Sequence, residues 1–152
     1  MRELEQTLEE IGWLPADSND DAFLRELYFE LKGEEFEPLG LPEVTLSGLL
    51  EQQYVARCTG YALAFPDART FVKLGVGCLI VSTGTTIHLV DVIISKSARG
   101  QGFGSELLSA ILALGKPVTL KVDLHNPARK LYERLGFREI GATDMQADMI
   151  AP

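Results

Sequence analysis

One segment limits what this chain can fold into more than any other. Leu89-Val90-Asp91-Val92-Ile93-Ile94 is apolar and β-branched and reads as a strand. It runs through a short loop into Arg99-Gly100-Gln101-Gly102-Phe103-Gly104, and Ser105-Glu106-Leu107-Leu108 then opens a helical pattern. Strand, Gly-rich turn and helix start, in that order, make one unit of an α/β fold. They also make an anion site, because backbone N–H groups converge at the helix N-terminus and the helix dipole favours negative charge there. Glycines let the backbone approach a phosphate and adopt positive φ. A dinucleotide fingerprint fails, since Ser105 and Leu107 stand where its last glycine is required, and no P-loop string occurs. What remains is R-x-x-G-x-G; a plain helix-start turn would use the same residues.

The surrounding pattern fills out one domain over 1–152. Leu4, Leu8 and Ile11 recur at helical spacing, and Gly12 stops the run. Trp13-Leu14 reads as a short strand and Asp17 to Asp20 as N-caps. A helix carries Phe23, Leu24, Leu27, Tyr28 and Leu31 and is expected to end at Gly33, before an acidic loop from Glu34 to Pro42. A second helix is expected from Thr45 to Leu63, with Leu46, Leu49, Leu50 and Tyr54 inward and Phe65-Pro66-Asp67 as its breaker. Strands follow at Phe71-Val72 and Val76 to Val81, then a hairpin turn at Thr83-Gly84-Thr85 and the long strand Thr86 to Ile94. After the Gly-rich turn come a helix from Ser105 to Leu114, a strand from Val118 to Val122, and a helix from Asn126-Pro127 to Leu135. Two late strands, Phe137 to Ile140 and Met145 to Ile150, complete the chain.

A second motif stands at Asn126-Pro127-Ala128-Arg129-Lys130-Leu131-Tyr132-Glu133-Arg134-Leu135-Gly136-Phe137. Together with R-x-x-G-x-G it resembles the paired signatures of the GNAT superfamily of N-acetyltransferases, with Ala128 one place early. The clear resemblance covers Thr86 to Phe137. It implies a single-domain α/β fold, a mixed sheet flanked by helices whose parallel central strands, Thr86–Ile94 and Val118–Val122, splay around acetyl-CoA. It implies further that backbone groups of Val92, Ile93 and Ile94 line the pantetheine arm. Arg99, Gly100, Gln101, Gly102, Phe103, Gly104 and Ser105 would hold the pyrophosphate, and Asn126 and Tyr132 would contact the cofactor. The Tyr132 phenol would protonate the departing thiolate; without that role it is an amphipathic aromatic at the core edge.

A general base is harder to assign. Strict alternation puts Asp91 in phase with Ile87, Leu89 and Ile93, and a carboxylate in an apolar stripe is expected to be partly buried and useful as a base. A structural acid, a base acting through water, or no base at all are the alternatives. The same alternation puts His88 on the other face with Val90 and Val92. Tyr28, Glu34, Glu35, Gln53 and Tyr61 are candidates for the acceptor pocket. The run Glu34-Glu35-Phe36-Glu37 is either a solvated face or a lure for a cationic acceptor.

Composition narrows the partners. The net charge of −8 disfavours nucleic acids and anionic membranes and suits an amine. Cys58 and Cys78 form no C-x-x-C pair, and two histidines leave little for a metal, so none is expected. The acidic start is unlike a signal peptide, and a cytoplasmic location is expected. The expected function is direct transfer of an acetyl group from acetyl-CoA to a primary amine of a small molecule or peptide. The resemblance also allows a homodimer. The alternatives are a non-catalytic acyl-CoA-binding or regulatory module on the same fold and, more distantly, a nucleotide-binding protein.

Overall fold

The computed structural model describes residues 1–152. Helix α1 (Arg2–Glu10) buries Leu4 and Leu8 and stops at Gly12, whose φ is +87°. The two-residue strand β1 (Leu14–Pro15) follows. Asp17 and Asp20 form a reciprocal capping box around the 3-10 turn Ser18–Asp20 and launch α2 (Asp21–Phe36). Helix α3 (Glu43–Ala64) packs on α2 and ends before Pro66. Then come β2 (Arg69–Lys73), β3 (Gly77–Thr83), β4 (Ile87–Ile94), α4 (Phe103–Leu112), β5 (Val118–Asp123), α5 (Ala128–Arg134), β6 (Arg138–Ala142) and β7 (Gln146–Ala151). This is the mixed α/β architecture that the sequence pattern leads one to expect.

Gly33 does not end its helix. Helix α2 continues through it to Phe36, with Lys32 and Glu35 paired at 3.1 Å on the added turn. A mid-helix glycine costs about 1 kcal/mol relative to alanine, which a packed helix tolerates. The stop comes later, at Pro38 and at Gly40 with φ +60°.

The seven strands lie in the order β1-β2-β3-β4-β5-β7-β6. Every neighbouring pair is antiparallel except β4 and β5, which are joined by the crossover through α4. One face of the sheet packs on α1, α4 and α5. Its core contains Leu4, Leu8, Leu79, Ile87, Leu89, Leu107, Leu108, Ile111 and Leu120, with Leu131, Tyr132 and Leu135 packed against it. The other face packs on α2 through Leu27, Val72, Cys78 and Ile93. Helix α3 lies further out: of its 22 residues only Leu50 is buried.

Two irregularities in β4 shape everything that follows. Val81 faces Leu89 and Ile80 faces Asp91, so Val90 is an extra residue and the strand carries a β-bulge. The bulge reverses the alternation beyond it. Ile87 and Leu89 point toward α4, whereas Ile93 packs with Leu27 and Cys78 on the α2 side. The in-phase stripe of Ile87, Leu89, Asp91 and Ile93 therefore does not exist. Asp91 shares a face with Ile93 and, contrary to the simple pattern, with His88. The second irregularity is a splay: β4 and β5 pair only at Ile87–Val118, His88–Thr119 and Leu89–Leu120.

Candidate active site

The wedge opened by that splay is the one place where β4 backbone is released from a neighbouring strand in the middle of the sheet. The Ile87 N–H still donates to the Pro117 carbonyl at 2.8 Å. Beyond Leu89 the edge of β4 that faces β5 has no strand to pair with. Alternation after the bulge turns the N–H and C=O groups of Val92 and Ile94 into this gap and those of Ile93 toward β3. The Ile93 side chain lies buried on the α2 side. Close approach of β3 braces this stretch: a Cβ added to Gly77 would stand 2.1 Å from the Ile93 carbonyl oxygen.

At the end of β4 the chain makes a 3-10 turn, Lys96–Ala98, and enters the Gly-rich segment. Gly100 and Gly102 have φ of +76° and +86°, in the left-handed region that side chains disfavour. Gly102 is the N-cap of α4, so the first N–H groups of the helix, from Phe103, Gly104 and Ser105, are free of intrahelical partners. Gln101 ties the turn together by donating its side-chain amide to the Ser97 carbonyl at 2.9 Å. Arg99 donates its Nε to the Ile94 carbonyl at 3.2 Å and reaches Glu34 of α2 with Nη1 at 3.2 and 3.4 Å. Its side chain is thus engaged by a carboxylate.

The two sequence motifs meet in space. A Cβ built on Gly104 would meet Leu131 Cδ2 at 3.6 Å and Ile94 Cγ1 at 4.0 Å, ordinary van der Waals distances, so α4 lies directly beside α5 and the end of β4 here. Asn126 accepts the Ala128 N–H at 2.9 Å through its side-chain oxygen and so caps α5. Tyr132 packs against the core with its ring 5.7 Å from that of Phe137. Burial alone raises its pKa, which keeps the phenol protonated at neutral pH.

The opposite side of the wedge carries a charged cluster that the sequence shows only in part. Asp91 is ion-paired with Arg57 of α3. The Arg57 guanidinium lies 5.0 Å from the ring centroids of both Tyr28 and Tyr61. Of the acceptor-pocket candidates, Tyr28 and Tyr61 therefore converge on Arg57, the partner of Asp91. Glu34 instead turns to Arg99 and Glu35 to Lys32. Arg57 is the residue that sequence reasoning missed. It stands seven residues after Leu50 and three after Tyr54, on the same inward helical stripe. His88 stacks on Phe65 at 5.3 Å and its Nδ1 is 2.8 Å from the Thr119 hydroxyl. Burial, and then the Lys121 charge, lower its pKa.

The family model described as "Acetyltransferase (GNAT) domain" matches residues 52–139, more than half of the chain. The chain belongs to the GNAT acetyltransferase family. Solved structures share the fold of this GNAT chain over nearly its whole length. The PaiA N-acetyltransferase of Thermoplasma acidophilum, in complex with coenzyme A, aligns with a TM-score of 0.67 at 13% identity, over 91% of this chain and 96% of its own. A Corynebacterium glutamicum protein described as histone acetyltransferase HPA2 and related acetyltransferase aligns at 0.63 and 22% identity, over 92% and 94%. An acetyltransferase of Thermus thermophilus gives 0.63 and 20% identity, over 92% and 95%. Within the family domain lie β4, the Gly-rich turn, α5 and Arg57. No helix is long and apolar enough to cross a membrane.

Proposed function

We propose that this GNAT domain transfers an acetyl group from acetyl-CoA to a primary amine of a small molecule or peptide, directly and within a ternary complex. The observation that carries the reading is the loss of β4–β5 pairing beyond the Leu89–Leu120 pair, with a Gly-capped helix N-terminus at the outer end of the same strand. An extended thioester arm is itself a strand-like ligand, and unpaired β4 backbone offers it main-chain hydrogen bonds. In this reading Val92 and Ile94 hold the pantetheine amides, with Ile93 bracing them from behind. The turn from Arg99 to Ser105 takes the pyrophosphate, and Asn126 contacts the cofactor from the start of α5.

The chemistry needs an acceptor lone pair, charge stabilisation at the carbonyl oxygen and a proton for the leaving sulfur. A β4 backbone N–H in the wedge supplies the second. Tyr132 supplies the third, since burial holds its proton while the wedge brings α5 against the thioester. The acceptor enters from the α2 and α3 side, where Asp91, Tyr28 and Tyr61 lie. The reduced cysteines and acidic charge fit a cytoplasmic enzyme.

Tyr132→Phe tests the reading. The substitution keeps the ring and its packing and removes the proton. With an amine identified from a panel by thiol release, kcat should fall about 100-fold, within the usual range for general acid catalysis. Acetyl-CoA affinity by calorimetry should stay within about twofold. An unchanged kcat removes Tyr132 from the chemistry. Acetyl-CoA binding without turnover across the whole panel favours the non-catalytic acyl-CoA-binding module.

A further inference from the structure

We propose that Arg57 occupies the seat of the acceptor's ammonium group, and that the acceptor gains access to Asp91 by displacing it. This rests on the acetyl-transfer reading above and names the chemical class of its second substrate.

The seat has two aromatic walls and a charged floor. The Arg57 guanidinium is 5.0 Å from the Tyr28 centroid, 5.0 Å from the Tyr61 centroid and paired with Asp91. Aromatic faces with a carboxylate are a general receptor for ammonium and guanidinium cations. Here the receptor is filled by the protein's own cation. Asp91 follows the bulge directly and neighbours Val92, whose backbone lines the wedge. The seat therefore opens on the acceptor side of the place where the proposed thioester lies.

Replacement is favoured over simple addition for three reasons. Arg57 and Asp91 are 16% and 22% exposed, so the rim of the pair meets solvent, while the paired Arg57 Nη2 is itself buried. Exchange of one cation for another leaves Asp91 paired throughout and avoids the large cost of a stranded buried charge. Arg57 sits on a long flexible stem, on a helix with Leu50 as its one buried residue. An anionic acceptor has no comparable place, because Asp91 and the ring faces already surround the guanidinium. The chain's net charge of −8 also draws cations toward the cleft.

Displacement explains how Asp91 serves as a base although it is ion-paired at rest. With Arg57 withdrawn, an Asp91 oxygen accepts one proton from the seated ammonium. The freed amine lone pair then forms the C–N bond at the acetyl carbonyl carbon. The C–S bond breaks, and the sulfur leaves with the Tyr132 proton. The second proton of the new N–H2 group passes through water to the Tyr132 oxygen, and Asp91 returns its proton to solvent as Arg57 re-enters.

The test vacates the seat and refills it with n-propylguanidinium, a mimic of the missing side chain. Arg57→Ala should lose stability and regain it saturably at millimolar probe, with a rise in Tm of about 3–6 °C at ten times the dissociation constant. Arg57→Met keeps the aliphatic stem and carries the same measurement if the alanine variant does not fold. Arg57→Ala/Asp91→Asn should show no saturable response. In the wild type, the probe should inhibit acetyl transfer competitively against the amine and not against acetyl-CoA. No saturable shift in a folded Arg57 variant, an equal shift in the double variant, or inhibition competitive with acetyl-CoA would each overturn the proposal. The binding measurement needs no turnover, so a failed seat is distinguishable from a failed acetyl-transfer reading.

Discussion

Gly77→Ala is the sharpest test of how the wedge is held open. The Gly77 backbone lies outside the left-handed region, so alanine fits its local conformation and the whole cost is steric. A new Cβ would lie 2.1 Å from the Ile93 oxygen and 3.2 Å from both Ile93 C and Ile94 Cα. Comfortable carbon–oxygen contacts begin near ~3.3 Å, so β3 must retreat from β4 by about 1 Å. That strains roughly two ladder hydrogen bonds worth about 1 kcal/mol each, on top of an overpacking cost of about 1–3 kcal/mol. The expected loss is about 3–5 kcal/mol, with a fall in Tm of roughly 10 °C for a domain of this size. Urea denaturation should show a lower midpoint at unchanged slope. Acetyl-CoA affinity should fall as well, because Ile93 and Ile94 move with the strand. Gly75→Ala is the control: nothing lies within 4 Å, but φ is +79°, and a left-handed residue costs only about 1–2 kcal/mol. A Gly77→Ala variant within about 0.5 kcal/mol of wild type would refute the claim that close approach of β3 braces the wedge.

Glu34→Gln should raise acetyl-CoA affinity up to about fivefold at low salt, since an exposed carboxylate that holds Arg99 competes with phosphate and such pairs are worth about 0–1 kcal/mol; calorimetry at two salt concentrations checks it, and the gain should shrink as salt rises. His88 has its folded pKa below the unfolded value of about 6.5, so the unfolded chain binds the extra proton and stability falls as pH drops through and below that value. The fall in Tm between pH 8 and pH 5.5 should be smaller in His88→Asn than in wild type. Burial pushes the Cys78 thiol up to about 11, whereas Cys58 is exposed. Iodoacetamide at pH 8 should add one carbamidomethyl group to the folded chain and two to the unfolded chain, read by intact mass.

The elements legible in the sequence were those whose signals are local. Gly12, Pro66 and Gly102 punctuate the chain in the expected places because φ restrictions need no tertiary context. The Gly-rich turn and the Asn126-to-Phe137 motif were legible through their resemblance to the family's paired signatures, and the two meet in space where Gly104 lies beside Leu131 and Ile94. The bulge was not legible. Val90 is as good a strand residue as any, and nothing in its type announces an extra residue; only its pairing with β3 does. Every face assignment beyond it therefore came out reversed relative to Ile87 and Leu89. Arg57 was missed for a related reason. Reading α3 by its apolar residues finds Leu50 and Tyr54, yet the inward stripe continues into a cation that stays there only because Tyr28, Tyr61 and Asp91 arrive from three other segments.

A single extra residue thus links the two sides of the site. Before the bulge, β4 is an ordinary central strand, paired on both edges and buried on the α4 side. After it, the side that faced α4 faces α2. Asp91 consequently meets Arg57 instead of the apolar core, where an unpaired carboxylate would cost several kcal/mol. At the same position β5 diverges, which leaves the Val92 backbone and the Ile94 N–H without a strand partner, while the Ile94 carbonyl accepts from Arg99 Nε. Val92 and Ile94 are only partly buried, so water can meet these groups, and the proposed extended ligand would replace it with its own amides. In the proposed reading the Asp91 carboxylate serves the acceptor side of the wedge, and the turn from Arg99 to Ser105 serves the pyrophosphate at the outer end of β4. The strand's change of phase is what lets one short stretch of β4 turn a carboxylate toward Arg57 and the Val92 backbone toward the gap.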